Sequence, residues 1–109
     1  MAYNKALAGR MLEVLQDQPG LSQKKMFGGL ALMVNGNMCC GVNGEQLMLR
    51  VGADAYQTAL DQPHAREMDF TGRAMKGMVY VDPPGFETRE ALAAWLQMAL
   101  DFVASLPPK

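Results

Sequence analysis

The stretch KKMFGGLALMVNGNMCCGVNGEQLMLRV, residues 24–51, gathers most of the residue types in this chain that could do chemistry. It holds two adjacent thiols, Cys39 and Cys40, a glycine pair behind Lys24 and Lys25, and a guanidinium at Arg50. A phosphate cradle needs backbone N–H groups at a helix N-terminus, usually followed by a lysine. Here the glycines lead into a strand-like run and the lysines come first, so a bend or bulge where backbone approaches backbone is expected. Neighbours on a strand point to opposite faces, so the two thiols could not share a metal without breaking the strand. Zinc would need two more ligands, and the chain has one histidine and no further cysteine. Buried, free thiols are expected, with a strained vicinal disulfide as the alternative. Cys39 is the better candidate for reactivity, because it should share its face with Arg50, whose charge favours a thiolate.

Elsewhere the signals are sparser. His64 has no nucleophile in a recognisable setting, since Ser22 and Ser105 lie in no nucleophile-elbow pattern. Glu67 and Asp69 share one side of a strand, as solvated carboxylates normally do. Lys24, Lys25, Arg73 and Lys76 flank glycine-containing loops and, with Arg50, could form a modest cationic spot for a phosphate or an acidic surface. No aromatic residues interleave them to stack bases. Ten methionines suit both irregular cores and adaptable contact surfaces, and Met48 is expected on such a surface.

The elements that must position these groups follow from periodicity. Residues 4–17 carry Leu7, Met11, Val14 and Leu15 at helical spacing, and Pro19-Gly20 stops them. The period then falls to two. Asn35-Gly36 and Asn43-Gly44 favour hairpin turns, which predicts a three-stranded meander of residues 30–34, 37–42 and 45–51. Two-residue loops would set Val34 opposite Asn37 and Val42 opposite Glu45. One face then collects Ala31, Met33, Met38, Cys40, Val42, Leu47, Leu49 and Val51 under helices. The other face (Leu30, Leu32, Val34, Cys39, Gly41 and Met48, with Asn37, Gln46 and Arg50) is half apolar, and so either partly covered or a contact surface. A short helix follows with Tyr56, Ala59 and Leu60 inward, then strands at AREMDFT and MVYV with GRAMKG as a loop between them. Thr88 can cap a last helix whose stripe is Leu92, Trp95, Leu96, Ala99, Val103 and Leu106. The order α-βββ-α-ββ-α predicts an α+β, two-layer fold with helices on one face of an antiparallel sheet, in one domain over residues 1–109.

Size and charge narrow the classes. A chain of 109 residues can bury one real core. A formal net charge of −1 gives no long-range field for nucleic acid or anionic membrane. No apolar run is long enough to span a bilayer, and the N-terminus lacks a secretory signal. With two vicinal thiols this points to a cytoplasmic protein.

MFGGLALMVNGNMCCGV, LMLRVG, PHAREMDFTGRAMKGMVYVDP and the closing W...FVASLPPK together make the chain resemble the TfoX/Sxy family, specifically its N-terminal domain. The resemblance implies a secretion-chaperone-like α+β fold and a link to regulation of natural competence. It is to the single-domain members, without a second, C-terminal domain, and it carries no catalytic or ligand residues. The resulting expectation is a small non-enzymatic protein without cofactor or metal that acts by protein–protein contact, with homodimerisation through a sheet face or edge. Direct DNA binding is the alternative, disfavoured by the charge and by the lack of a helix-turn-helix pattern. A ligand pocket or enzyme site would require Cys39, Arg50, His64 and Arg73 to converge.

Overall fold

The computed structural model describes residues 3–26, 29–69 and 74–107. Its elements run α1 (Lys5–Val14), β1 (Leu21–Met26), β2 (Gly29–Val34), β3 (Asn37–Asn43), β4 (Gln46–Arg50), α2 (Gly52–Leu60), β5 (Ala65–Asp69), β6 (Ala74–Val81), a 3-10 turn (Pro83–Phe86) and α3 (Arg89–Ala104). The six strands form one antiparallel sheet in the order β1-β2-β3-β4-β6-β5. The α+β expectation holds, with one strand more than the sequence predicts. β1 escaped detection because it is an edge strand whose Ser22, Gln23, Lys24 and Lys25 are all exposed, so no apolar alternation marks it. At the other end of the sheet, Ala74–Gly77 of the expected GRAMKG loop belong to β6, while Gly72 and Arg73 lie outside the described residues.

The Asn35-Gly36 turn has positive φ at both residues, 53° and 82°, as a type I′ hairpin requires. The second turn sits one residue later than expected. Asn43 pairs with Gln46, so the loop is Gly44-Glu45, with positive φ at Gly44 alone. Val42 therefore opposes Leu47 rather than Glu45. This moves the register by two, and Val42, Leu47, Leu49 and Val51 keep the helix-covered side predicted for them.

β2 does not keep its predicted side. Val34 pairs with Asn37 and Met33 with Met38, but Leu32 then pairs with Cys40, leaving Cys39 as an extra residue in β3. This β-bulge turns Leu30, Leu32 and Val34 into the core, and Ala31 and Met33 away from it. Asn37, opposite Val34, is buried too, and its side-chain amide donates to the Pro107 carbonyl at 2.9 Å.

The helices cover this one side. Leu7, Ala8, Met11 and Leu15 from α1, Ala59 from α2, and Leu92, Trp95, Leu96, Ala99 and Val103 from α3 complete the core. Asn4 caps α1 by accepting from the Leu7 N–H at 3.0 Å. The same residue donates from its backbone N–H to the Gly44 carbonyl and from its amide to Glu45, both at 2.7 Å, tying the helix start to the second hairpin. Thr88 caps α3 through the Ala91 N–H at 3.0 Å, as its sequence position suggests. A smaller cluster of Met48, Met78 and Tyr80, with Met38 against it, lies on the other side of the sheet. That side is thus partly closed by its own side chains.

Gly29 and Gly52 are among the glycines that leave no room for a side chain. Gly29 packs so near the Val42 carbonyl that a Cβ would collide with it, which is the backbone approach expected of the glycine pair. Gly52 has φ +82°, and a Cβ there would strike the Phe102 ring. Gly52→Ala should lower stability by about 2–4 kcal/mol in urea unfolding. Gly44→Ala, with φ +60° and open space around it, should cost only about 1 kcal/mol. Equal costs would show that the ring contact contributes nothing. Asn4→Ala should cost roughly 1–2 kcal/mol by the same measurement, through loss of the cap and the hairpin tie.

Candidate functional site

The bulge brings the most reactive groups together. An extra residue in a strand reverses the usual alternation locally, and Cys39 and Cys40 both end in the helix-side core, free and fully buried. The expectation that they face opposite sides fails for this reason. Adjacent and turned to one side, the two thiols act on each other electrostatically. The neighbouring Cys40 holds the Cys39 thiol below its ordinary range against the opposing effect of burial, and the Arg50 charge acts in the same direction. The interaction with Cys39 and burial both push the Cys40 thiol well up.

Arg50 stands at the end of β4, opposite Met78. Its Nη1 donates to the Met38 carbonyl at 3.4 Å, next to the bulge, and its guanidinium sits 5.4 Å from the Phe102 ring centroid. It lines a small recess of ≈ 140 Å³ with Gly52, Ala53, Gly77, Met78 and Phe102. Arg50 and Cys39 do not share a face as the sequence suggests, since Arg50 pairs with Met78 on the side away from the helices, but the Arg50 charge still acts on the Cys39 thiol.

The other predicted residues are dispersed. Lys24 and Lys25 are exposed on β1, Lys24 opposite Ala31 and Lys25 opposite Leu30, so they point to different sides of the sheet. His64 is exposed in the turn before β5, with φ 69°, and its carbonyl accepts from the Asp82 N–H at 2.9 Å. The Ala65–Val81–Leu47 row beside it lies three residues along the ladder from Arg50 and Met78, roughly 10 Å away. Met48 is fully buried rather than presented for contact, because Gly41 opposite it leaves room for its methyl group. Arg73 lies outside the described residues, and for Lys76 only the backbone, in β6, is described. Glu67 opposes Val79 on the helix side, where its charge raises the Tyr56 hydroxyl pKa, a smaller effect than burial. Asp69 is described only as the end of β5. Among the described residues no three His, Cys, Asp or Glu side chains come close enough to hold a metal ion, and no helix is long and apolar enough to cross a membrane.

One feature escaped the sequence reading. A mostly apolar groove of ≈ 420 Å³ runs between Gln62, Pro63, Gly85 and the Ala91, Ala94, Trp95 and Met98 side of α3. The Trp95 indole N–H is already spent on the Gly85 carbonyl at 3.1 Å. The small residues Ala91 and Ala94, set at helical spacing beside the core stripe, were its only trace in the sequence.

Comparison with curated proteins gave no match, and comparison with solved structures gave none. The family described as TfoX N-terminal domain matches residues 13–103, which takes in the bulge, both hairpins and nearly all of α3. The chain belongs to the TfoX N-terminal domain family.

Proposed function

We propose that this domain is a non-enzymatic regulator acting by protein–protein contact in the control of transcription or natural competence, and that its first partner is a second copy of itself. The TfoX N-terminal domain is associated with competence regulation. The dispersal of His64, Lys24 and Lys25 away from Arg50 and Cys39 supports a role without catalysis.

The observation that carries the contact is the outer edge of β1. This strand pairs with β2 along all six residues, and among the described residues no strand meets its other edge. Such an edge is a template for strand addition. Antiparallel pairing of two β1 strands about a two-fold axis requires a residue to oppose its own copy. Centring on Lys24 opposes like charges, which is unfavourable. Centring on Gln23 instead sets Ser22 against Lys24 and Leu21 against Lys25, with no like charges face to face. That register uses five of the six residues of β1.

Sedimentation equilibrium tests the contact. Ser22→Glu should tighten the dimer and Ser22→Lys should loosen it, each by roughly two- to thirtyfold, because the pair occurs twice per dimer at roughly 0.2–1 kcal/mol each. Ser22 is exposed, so neither change disturbs the core. A chain that stays monomeric at high micromolar concentration, or a dimer indifferent to both substitutions, would overturn the assignment.

A further inference from the structure

We infer that Cys39 and Cys40 form a reversible oxidation site, closed to a vicinal disulfide by hydroperoxides, with Arg50 as its positioning residue. Three observations meet here. The bulge turns both thiols to one side of β3, where adjacent strand residues otherwise diverge. Cys39 is the bulged residue and has no partner opposite it in β2, so the ladder is already interrupted there. Arg50 reaches the carbonyl of Met38, the residue before Cys39, from the rim of a recess, which holds a positive charge next to the bulge.

The division of roles follows from the contacts. Cys39 is the unpaired bulge residue and follows Met38, whose carbonyl Arg50 holds, whereas Cys40 is paired with Leu32 and Leu49, so Cys39 is the nucleophile and Cys40 the resolving thiol. The Cys39 thiolate, its proton released to solvent, attacks the distal oxygen of the hydroperoxide. The O–O bond breaks, Cys39 becomes a sulfenic acid, and the departing alkoxide takes up a proton as an alcohol. The Cys40 sulfur then attacks the Cys39 sulfur, and the hydroxide that leaves takes the Cys40 proton as water. Two thiols and one hydroperoxide thus give one disulfide, one alcohol and one water. Neighbouring Cα atoms stand about 3.8 Å apart across a trans peptide. Disulfides favour about 4.4–6.8 Å, so closure must reshape the bulge. A bond made under that constraint is readily reduced by cellular dithiols.

The test is mass spectrometry of the whole chain after hydrogen peroxide, with unfolding and alkylation to count free thiols. The wild-type chain should become lighter by two hydrogen atoms, accept no alkyl group, remain free of interchain disulfides and recover both thiols on reduction. Cys40→Ala should stop at a Cys39 sulfenic acid trapped by dimedone, whereas Cys39→Ala should retain an alkylatable Cys40. Arg50→Gln should slow closure roughly threefold or more, and Arg50→Lys should restore most of the rate. The wild-type measurement stands even if a cysteine variant fails to fold. Two thiols still alkylatable under peroxide that consumes an unfolded-thiol control, or oxidation only between chains, would overturn the site. An unchanged rate in Arg50→Gln would remove Arg50 from it.

Discussion

One extra residue in β3 decides which side of this sheet is core. Because side chains alternate along a strand, the insertion of Cys39 between the Met33–Met38 and Leu32–Cys40 pairs inverts all of β2 relative to Cys40, Val42 and β4, compared with a straight ladder. Without it, Leu30 and Leu32 would lie on the side away from the helices, and Ala31 with Met33 would face α1 and α3. The bulge therefore gives the helices a continuous floor of Leu30, Leu32, Val42, Leu47, Leu49, Val79 and Val81. Burying the two leucines is worth roughly 1.5–3 kcal/mol each, well above what a disturbed ladder loses at one position.

The helices are fixed to that floor by hydrogen bonds at their ends as well as by apolar contact. Asn4 binds the second hairpin, and Arg10 of α1 donates to the Phe86 carbonyl at 2.7 Å in the 3-10 turn before α3. Trp95 returns from α3 to Gly85 in the same turn, and Asn37 holds the segment after α3 through Pro107. These bonds satisfy polar groups that the core would otherwise strand, and they fix the angles at which apolar stripes alone would let a helix slide.

What could be read from the sequence follows from how local each determinant is. The Asn35-Gly36 turn, the Thr88 cap and the α3 stripe are set by residues within a few positions, and they stand as predicted except that the stripe ends at Val103, Leu106 lying past the helix. The sides of β4 survived a misplaced turn only because the error was two residues, which preserves alternation. The bulge left no local mark. Neither Met38, Cys39 nor Cys40 is a turn former, and the advantage of inserting a residue there comes from how β2 packs against distant helices. The meeting of the two thiols was illegible for the same reason. β1 was missed because an edge strand with solvent on its flank needs no apolar pattern. The groove beside Trp95 required knowing which turn lies next to which helix.

The same geometry joins the two proposed features. Among the described residues β1 pairs with β2 alone, and β2 is held to the rest of the sheet through β3. The sides presented by Ser22 and Lys24 are therefore set two strands away, at the bulge where the thiols lie. Closing a disulfide between adjacent residues must alter the backbone at Cys39, and β2 can follow only by losing or shifting its pairs with Met38 and Cys40. A shift of one residue would turn Leu30 and Leu32 out of the core, which the helices oppose. Loss of pairing at Met33 and Val34 leaves the core leucines in place and loosens only the end of β2 that Leu21 and Ser22 pair with. Of the two responses, the second exposes less apolar surface, and it falls on the half of β1 that a second copy would need.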